Sequence, residues 1–131
     1  MVAGTYNSST FIIYSRESRH MVSARELLSS IHLNSGPVVR MGDDFEIQTK
    51  GVSRIELEHG YFSDVLYVPY LESNLLSVYQ MTQTRESKRV TFTTDLVEIE
   101  DISTDQVVAI GYADHQERMY KFLNFLPNSR E

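Results

Sequence analysis

Apolar residues recur along most of this chain in short runs at period two, broken every few residues by polar turns. This is the pattern of a mainly-β domain. Phe11-Ile12-Ile13-Tyr14 is a β-branched and aromatic run of the buried-strand type. Met21, Ala24, Leu27, Leu28 and Ile31 fall at spacings of 3, 3, 1 and 3, which predicts one helical face, with Ser23 and Glu26 as its capping box. Val38 to Met41 and Phe45 to Thr49 flank a Gly42-Asp43-Asp44 turn and read as a hairpin. Val52 to Glu58 alternates, with a bulge or face switch near Ile55. Tyr61-Phe62 opens the next segment, with Asp64 as a turn or cap before a Val65–Val68 strand that Pro69 stops. Leu75 to Met81 reads as a short core helix capped by Ser73 or Asn74. Arg85 to Arg89 reads as a charged loop, and four more strands follow, at Val90–Phe92, Leu96–Ile99, Val107–Ile110 and Met119–Leu123. The sum is eight or nine short strands and two small helices, a barrel or sandwich. Residues 1–10 read as a polar leader, 11–123 as the domain and 124–131 as a tail.

Composition narrows the chemistry. At 131 residues the chain makes one domain, and with no Cys it has no disulfide, thiol nucleophile or cysteine-held zinc. The net charge of −6 argues against a nucleic-acid binder with a broad basic face. No apolar run is long enough for a membrane span, and no signal-peptide core is present, so the expectation is an intracellular protein, cytoplasmic or nuclear. His20, His32, His59 and His115 are 12, 27 and 56 residues apart, with no close ligand pair, so neither a metal nor another cofactor is expected. No Gly-rich phosphate loop or dinucleotide fingerprint occurs.

One stretch is far more specific. Asp64-Val65-Leu66-Tyr67-Val68-Pro69, then Leu71, then Asn74-Leu75-Leu76-Ser77-Val78 with Gln80-Met81, resembles the D-V-L-Y-V-P-x-L-x-x-N-L-L-S-V-x-Q-L signature of copia-type retrotransposon polyproteins. In that family the signature lies in the retropepsin-like protease region. Gly36 to Asp43 is similar to the family's V-x-M-G-D-G segment, and Ser18-Arg19-His20-Met21 to the S-x-H-M after its catalytic turn. Val107 to Gly111 and Arg118 to Lys121 are similar to its later strands. The resemblance implies a retropepsin-like (acid protease) barrel with one or two short helices.

The departure from the pattern carries as much meaning. Where the family has D-S-G-A, this chain has Tyr14-Ser15-Arg16-Glu17. A retropepsin-like enzyme works as a homodimer, with one aspartate from each subunit sharing a proton and activating a water. A phenol with a pKa near 10 does not replace that carboxylate. Arg16 stands where a tight turn takes glycine. The resemblance therefore implies a non-catalytic homodimer binding a peptide or protein by strand addition. Tyr14, Ser15, Arg16 and Glu17 would lie at the dimer axis, and Met41, Gly42, Asp43 and Asp44 in a flap-like hairpin spanning Arg40 to Gly51. Each residue also has a plainer reading. Tyr14 is a core or interface aromatic, Arg16 and Glu17 an ion pair, Asp43-Asp44 a hairpin tip, and His20 the holder of a structural hydrogen bond. Two alternatives stay open. A repurposed groove with Glu17, Tyr14 and His20 would do acid–base chemistry on a small molecule in a closed apolar pocket. A residual aspartic-type protease would use another carboxylate, with no D-S-G or D-T-G in the chain to supply it.

Overall fold

The computed structural model describes residues 10–15, 18–29, 36–41, 45–83 and 85–123. Among them are β1 (Thr10–Tyr14), β2 (Met21–Val22), a 3-10 turn (Arg25–Leu27), β3 (Val38–Met41), β4 (Phe45–Gln48), β5 (Val52–Leu57), β6 (Gly60–Tyr67), β7 (Asn74–Ser77), α1 (Val78–Thr82), β8 (Lys88–Phe92), β9 (Leu96–Asp101), β10 (Gln106–Asp114) and β11 (Met119–Leu123). Nine strands form one sheet in the order β5-β6-β2-β7-β1-β11-β10-β9-β8, and β3 and β4 form a separate antiparallel pair. The fold is mainly β, a half-barrel with one short α-helix, as the retropepsin-like reading requires.

The sheet is strongly curled. In sheet order β6 and β8 are seven places apart, which in a flat sheet is roughly 34 Å at about 4.8 Å per strand. Yet the Lys88 ammonium donates to the Tyr61 carbonyl at 2.8 Å. The curl encloses the main core, where Phe11, Ile13, Ile55, Phe62, Leu76, Met81, Val97, Ile99 and Phe122 are buried together.

The centre of the sheet is apolar on both faces. β1 pairs in parallel with β7 and antiparallel with β11. Its Phe11 and Ile13 enter the main core, while Ile12 and Tyr14 pack on the opposite face against Met21, Leu66, Val68 and Leu75. Val39 of β3 and Ile47 of β4 cover that second cluster. A strand covered on both faces reads as a continuous apolar run, which is why Phe11 to Tyr14 does not alternate.

Four sequence expectations change. Met21 to Leu28 is not a helix: Met21–Val22 is a strand buried on both faces, followed by the short 3-10 turn. Glu26 has no capping-box role, since Ala24 is the N-cap and makes no side-chain cap bond. Leu75–Ser77 belongs to β7, all four residues of which are buried, and the helix starts only after Ser77, whose hydroxyl accepts from the Gln80 N–H at 3.0 Å. Asp64 lies inside β6 at φ +51°, where Ser63 and Asp64 oppose Arg54 between the Ser53–Val65 and Ile55–Phe62 pairs. The irregularity expected near Ile55 is this bulge.

Gly111 sits where β10 meets β11. A Cβ there would lie 2.5 Å from the Lys121 carbonyl oxygen and 2.8 Å from Val97 Cγ1. Gly111→Ala should therefore destabilise the domain by about 2 kcal/mol through backbone displacement, read as a lowered urea midpoint.

Candidate functional site

Two arrangements hold residues that the sequence analysis singled out. The first is a buried polar knot. His20 is fully buried, its ring set edge-on to Phe62 with centroids 5.4 Å apart. The Ser77 N–H donates to His20 Nδ1 at 2.9 Å. Nδ1 is thus an acceptor, which leaves the ring proton on Nε2, and Nε2 donates to Glu86 Oε2 at 3.0 Å. The same carboxylate oxygen accepts from the Ser63 N–H at 3.0 Å, the Ser63 hydroxyl at 3.1 Å and the Gln80 amide at 3.2 Å. Gln80 also accepts from the His20 N–H at 2.9 Å and donates to the Ser63 carbonyl at 2.5 Å. Lys88, 4% exposed, sets its ammonium 3.6 Å from Glu86 Oε1.

Burial alone would raise the Glu86 pKa. The His20 hydrogen bond, the nearby positive charge and the Ser63 N–H outweigh it and hold the carboxyl below its ordinary value of 4.5. A serine, a histidine and a carboxylate in contact superficially match a hydrolase triad. Here the Ser77 hydroxyl caps α1, the Ser63 hydroxyl bonds the carboxylate, and the His20 ring has both nitrogens occupied in the core. The knot holds the chain together and offers no nucleophile to a substrate. Reading Arg85 to Arg89 as a charged loop thus misses its structure: Glu86 and Lys88 are buried charges and Lys88–Arg89 opens β8.

The second arrangement is an open cleft of about 310 Å³ between β3 and the turn after β1, lined by Ser18, Arg19, Met21, Val38, Val39 and Arg40. Tyr14 sits half-buried beside it in the apolar cluster beneath the hairpin. Ser15 is exposed at the end of β1. Arg16, Glu17, Gly42, Asp43 and Asp44 lie outside the described residues, as does the Met41 side chain. His20 faces away from the cleft, into the knot. The structure therefore brings Tyr14 and the hairpin together and separates His20 from them. Among the described residues no cluster of three or more His, Asp or Glu is arranged to hold a metal.

The signature residues now have physical roles. Asn74 accepts from the Ser23 N–H at 2.9 Å, Ser77 caps α1 and orients His20, and Gln80 ties His20 to β6 and Glu86. Residues 11–86 match the family described as the Pol polyprotein, beta-barrel domain. The chain belongs to that family. No curated protein and no solved structure matches it. The matched span of this Pol beta-barrel domain ends at Glu86, so it takes in every partner of His20 in the knot. Two residues of its retrotransposon signature, Ser77 and Gln80, belong to the knot, and others form the strands beside it.

The knot's stability depends on pH with a definite sign. Because the folded-state pKa of Glu86 is depressed, its contribution is complete above the unfolded value and is lost as pH falls through the folded one. Glu86→Gln, which strands the buried Lys88 charge, should cost about 3–5 kcal/mol at pH 7. The gap between the variant and the parent should close as urea titrations are repeated from pH 7 down to about pH 3.

Proposed function

We propose that this retrotransposon-type domain is a non-catalytic homodimeric module that holds an extended peptide or protein segment beside its hairpin. The observation that carries the reading is Tyr14. At the position where the resemblance puts an aspartate, a phenol is packed against the apolar cluster of Met21, Leu66, Val68 and Leu75, on which Val39 and Ile47 also pack. A phenol does not replace a carboxylate dyad as the group that activates water.

The shape of the site favours a peptide over a small molecule. The cleft is open and lined by Arg19 and Arg40 over an apolar floor of Met21, Val38 and Val39. A small-molecule enzyme needs an enclosed pocket with convergent polar groups. An extended chain needs a strand edge to pair with and room for side chains at alternate positions, and Val38, with 55% of its surface exposed, lines the cleft outside the covered cluster.

The test is a peptide library screened for both cleavage and binding from about pH 4 to 7.5, the span of carboxylate and imidazole titration. The expected outcome is saturable binding without cleavage, weakened at least tenfold by Val38→Asp. Specific cleavage sensitive to a statine-type inhibitor would overturn the reading, and so would the absence of binding by any peptide.

A further inference from the structure

Arg19 stands apart from the other arginines. Every other described arginine is exposed, whereas Arg19 is half-buried in the wall of the cleft. Arg40, Arg54, Arg85 and Arg89 each hold a carboxylate, from Glu46, Glu56, Asp64 and Glu100. Among the described residues no carboxylate lies within ion-pair distance of Arg19. A guanidinium that has lost part of its water and has no counter-charge is costly in the free chain. It is well suited to a ligand carboxylate, which it meets with two parallel N–H···O bonds. Its position is set by the knot. The next residue, His20, donates its N–H to Gln80 at 2.9 Å and accepts from the Leu66 N–H at 2.9 Å, and its ring is fixed by Ser77 and Glu86. A rigid backbone therefore presents Arg19, which lowers the ordering cost of a contact made there. Across the cleft, Arg40 adds a second cation from β3.

We propose that the cleft selects extended segments carrying an Asp or Glu among apolar residues, and that Arg19 is the residue that reads the carboxylate. The inference rests on the peptide-holding cleft proposed above and on no dimer. The charge of the whole chain works the other way, since at −6 it favours basic ligands and repels acidic ones. A preference for acid then has to come from the cleft itself, where Arg19 and Arg40 flank an apolar floor of Met21, Val38 and Val39. An extended ligand turns alternate side chains the same way. A carboxylate directed at Arg19 thus brings the side chains two residues on along the same face, where the floor is apolar. A nucleic acid would offer phosphates to the same two arginines, but the charge of the chain opposes a polyanion far more strongly than a single carboxylate.

Three pools of short peptides, alike in a Val-Thr framework except for a fixed central Glu, Gln or Lys, read the selection by fluorescence anisotropy. The Glu pool should bind roughly tenfold tighter than the Gln pool and the Lys pool weakest, with the preference shrinking as salt is raised toward about 0.5 M. Arg19→Gln should reduce the Glu-over-Gln ratio to about twofold, and Arg19→Glu should turn the order toward Lys. Arg89→Gln removes the same unit of charge from β8, outside the cleft, and should keep the ratio of the parent, which separates a contact in the cleft from net charge. Urea titration checks that each variant folds. Pools that bind with equal affinity overturn the selection and leave the cleft reading standing, as does a Glu preference that survives Arg19→Gln. Binding by none of the pools overturns both. Displacement of the Glu pool by a single-stranded oligonucleotide would assign the arginines to phosphate and overturn the proposal as well.

Discussion

The fold turns on one buried carboxylate. Glu86 sits where burial penalises its charge, and it stays ionised because groups from four separate parts of the chain converge on it. His20 comes from the segment after β1, Ser63 from β6, Gln80 from α1 and Lys88 from β8. A buried charge is tolerable only when its hydrogen bonds and counter-charge are all in place, and misplacing one partner leaves the rest uncompensated. The requirement is therefore a geometric one. It places β6 beside β2, sets α1 at the end of β7 through Ser77, and draws β8 across to β6 through the Lys88–Tyr61 bond. Lys88 thus links the two ends of the curled sheet beside Glu86, whose Oε1 accepts no hydrogen bond among the described residues and faces the Lys88 ammonium at 3.6 Å.

The second constraint is a sheet that is apolar on both sides at its centre. β1, β2 and β7 feed one core with Phe11, Val22 and Leu76 and the other with Ile12, Met21 and Leu75. The outer cluster needs a cover, and the β3–β4 hairpin supplies it with Val39 and Ile47. Backbone bonds at its base, from the Lys50 N–H to the Tyr67 carbonyl and from the Tyr67 N–H to the Gly51 carbonyl, tie the hairpin to β6. The hairpin is thus both structure and the wall of the cleft. Anything that lifts it exposes Tyr14 and the apolar residues around it, so occupancy of the cleft and integrity of the outer core are linked.

Much of this was legible in the residues, and the exceptions share a cause. Period two marks β5, β9 and β11 because each has one face in the core and one toward water. It fails for β2 and β7, where both faces are buried and a run such as Leu75-Leu76 is as compatible with a helix as with a strand. The spacing from Met21 to Leu28 imitates a helical face because a two-residue strand and a 3-10 turn feed apolar side chains to different cores in quick succession. Glu86 and Lys88 misled for another reason. A charge in a charged run reads as solvated, and what buries Glu86 is His20, 66 positions away. No local signal carries that pairing. The family signature did contain it in another form, since His20, Ser77 and Gln80 are all within the matching motifs and all contact the knot or cap its helix.

The placement of those residues also keeps the turn after β1 apart from the hydrogen bonds that hold the sheet. In the resemblance, catalysis belongs to the turn after β1, whereas the hydrogen bonds that hold the sheet belong to His20, Ser77, Gln80 and Glu86. The two sets share no residue. Tyr14 at the turn joins an apolar cluster that already contains Ile12, Met21 and Leu75, so an aromatic ring there adds buried area instead of opening a gap. An aspartate at the same position would set a carboxylate against that cluster and would depend on a second subunit, or on water, to stabilise its charge. Tyr14 therefore contributes packing at the turn, and the knot is built without it. The hairpin and the cleft beside it are likewise built from β3, β4, Ser18, Arg19 and Met21, apart from the knot.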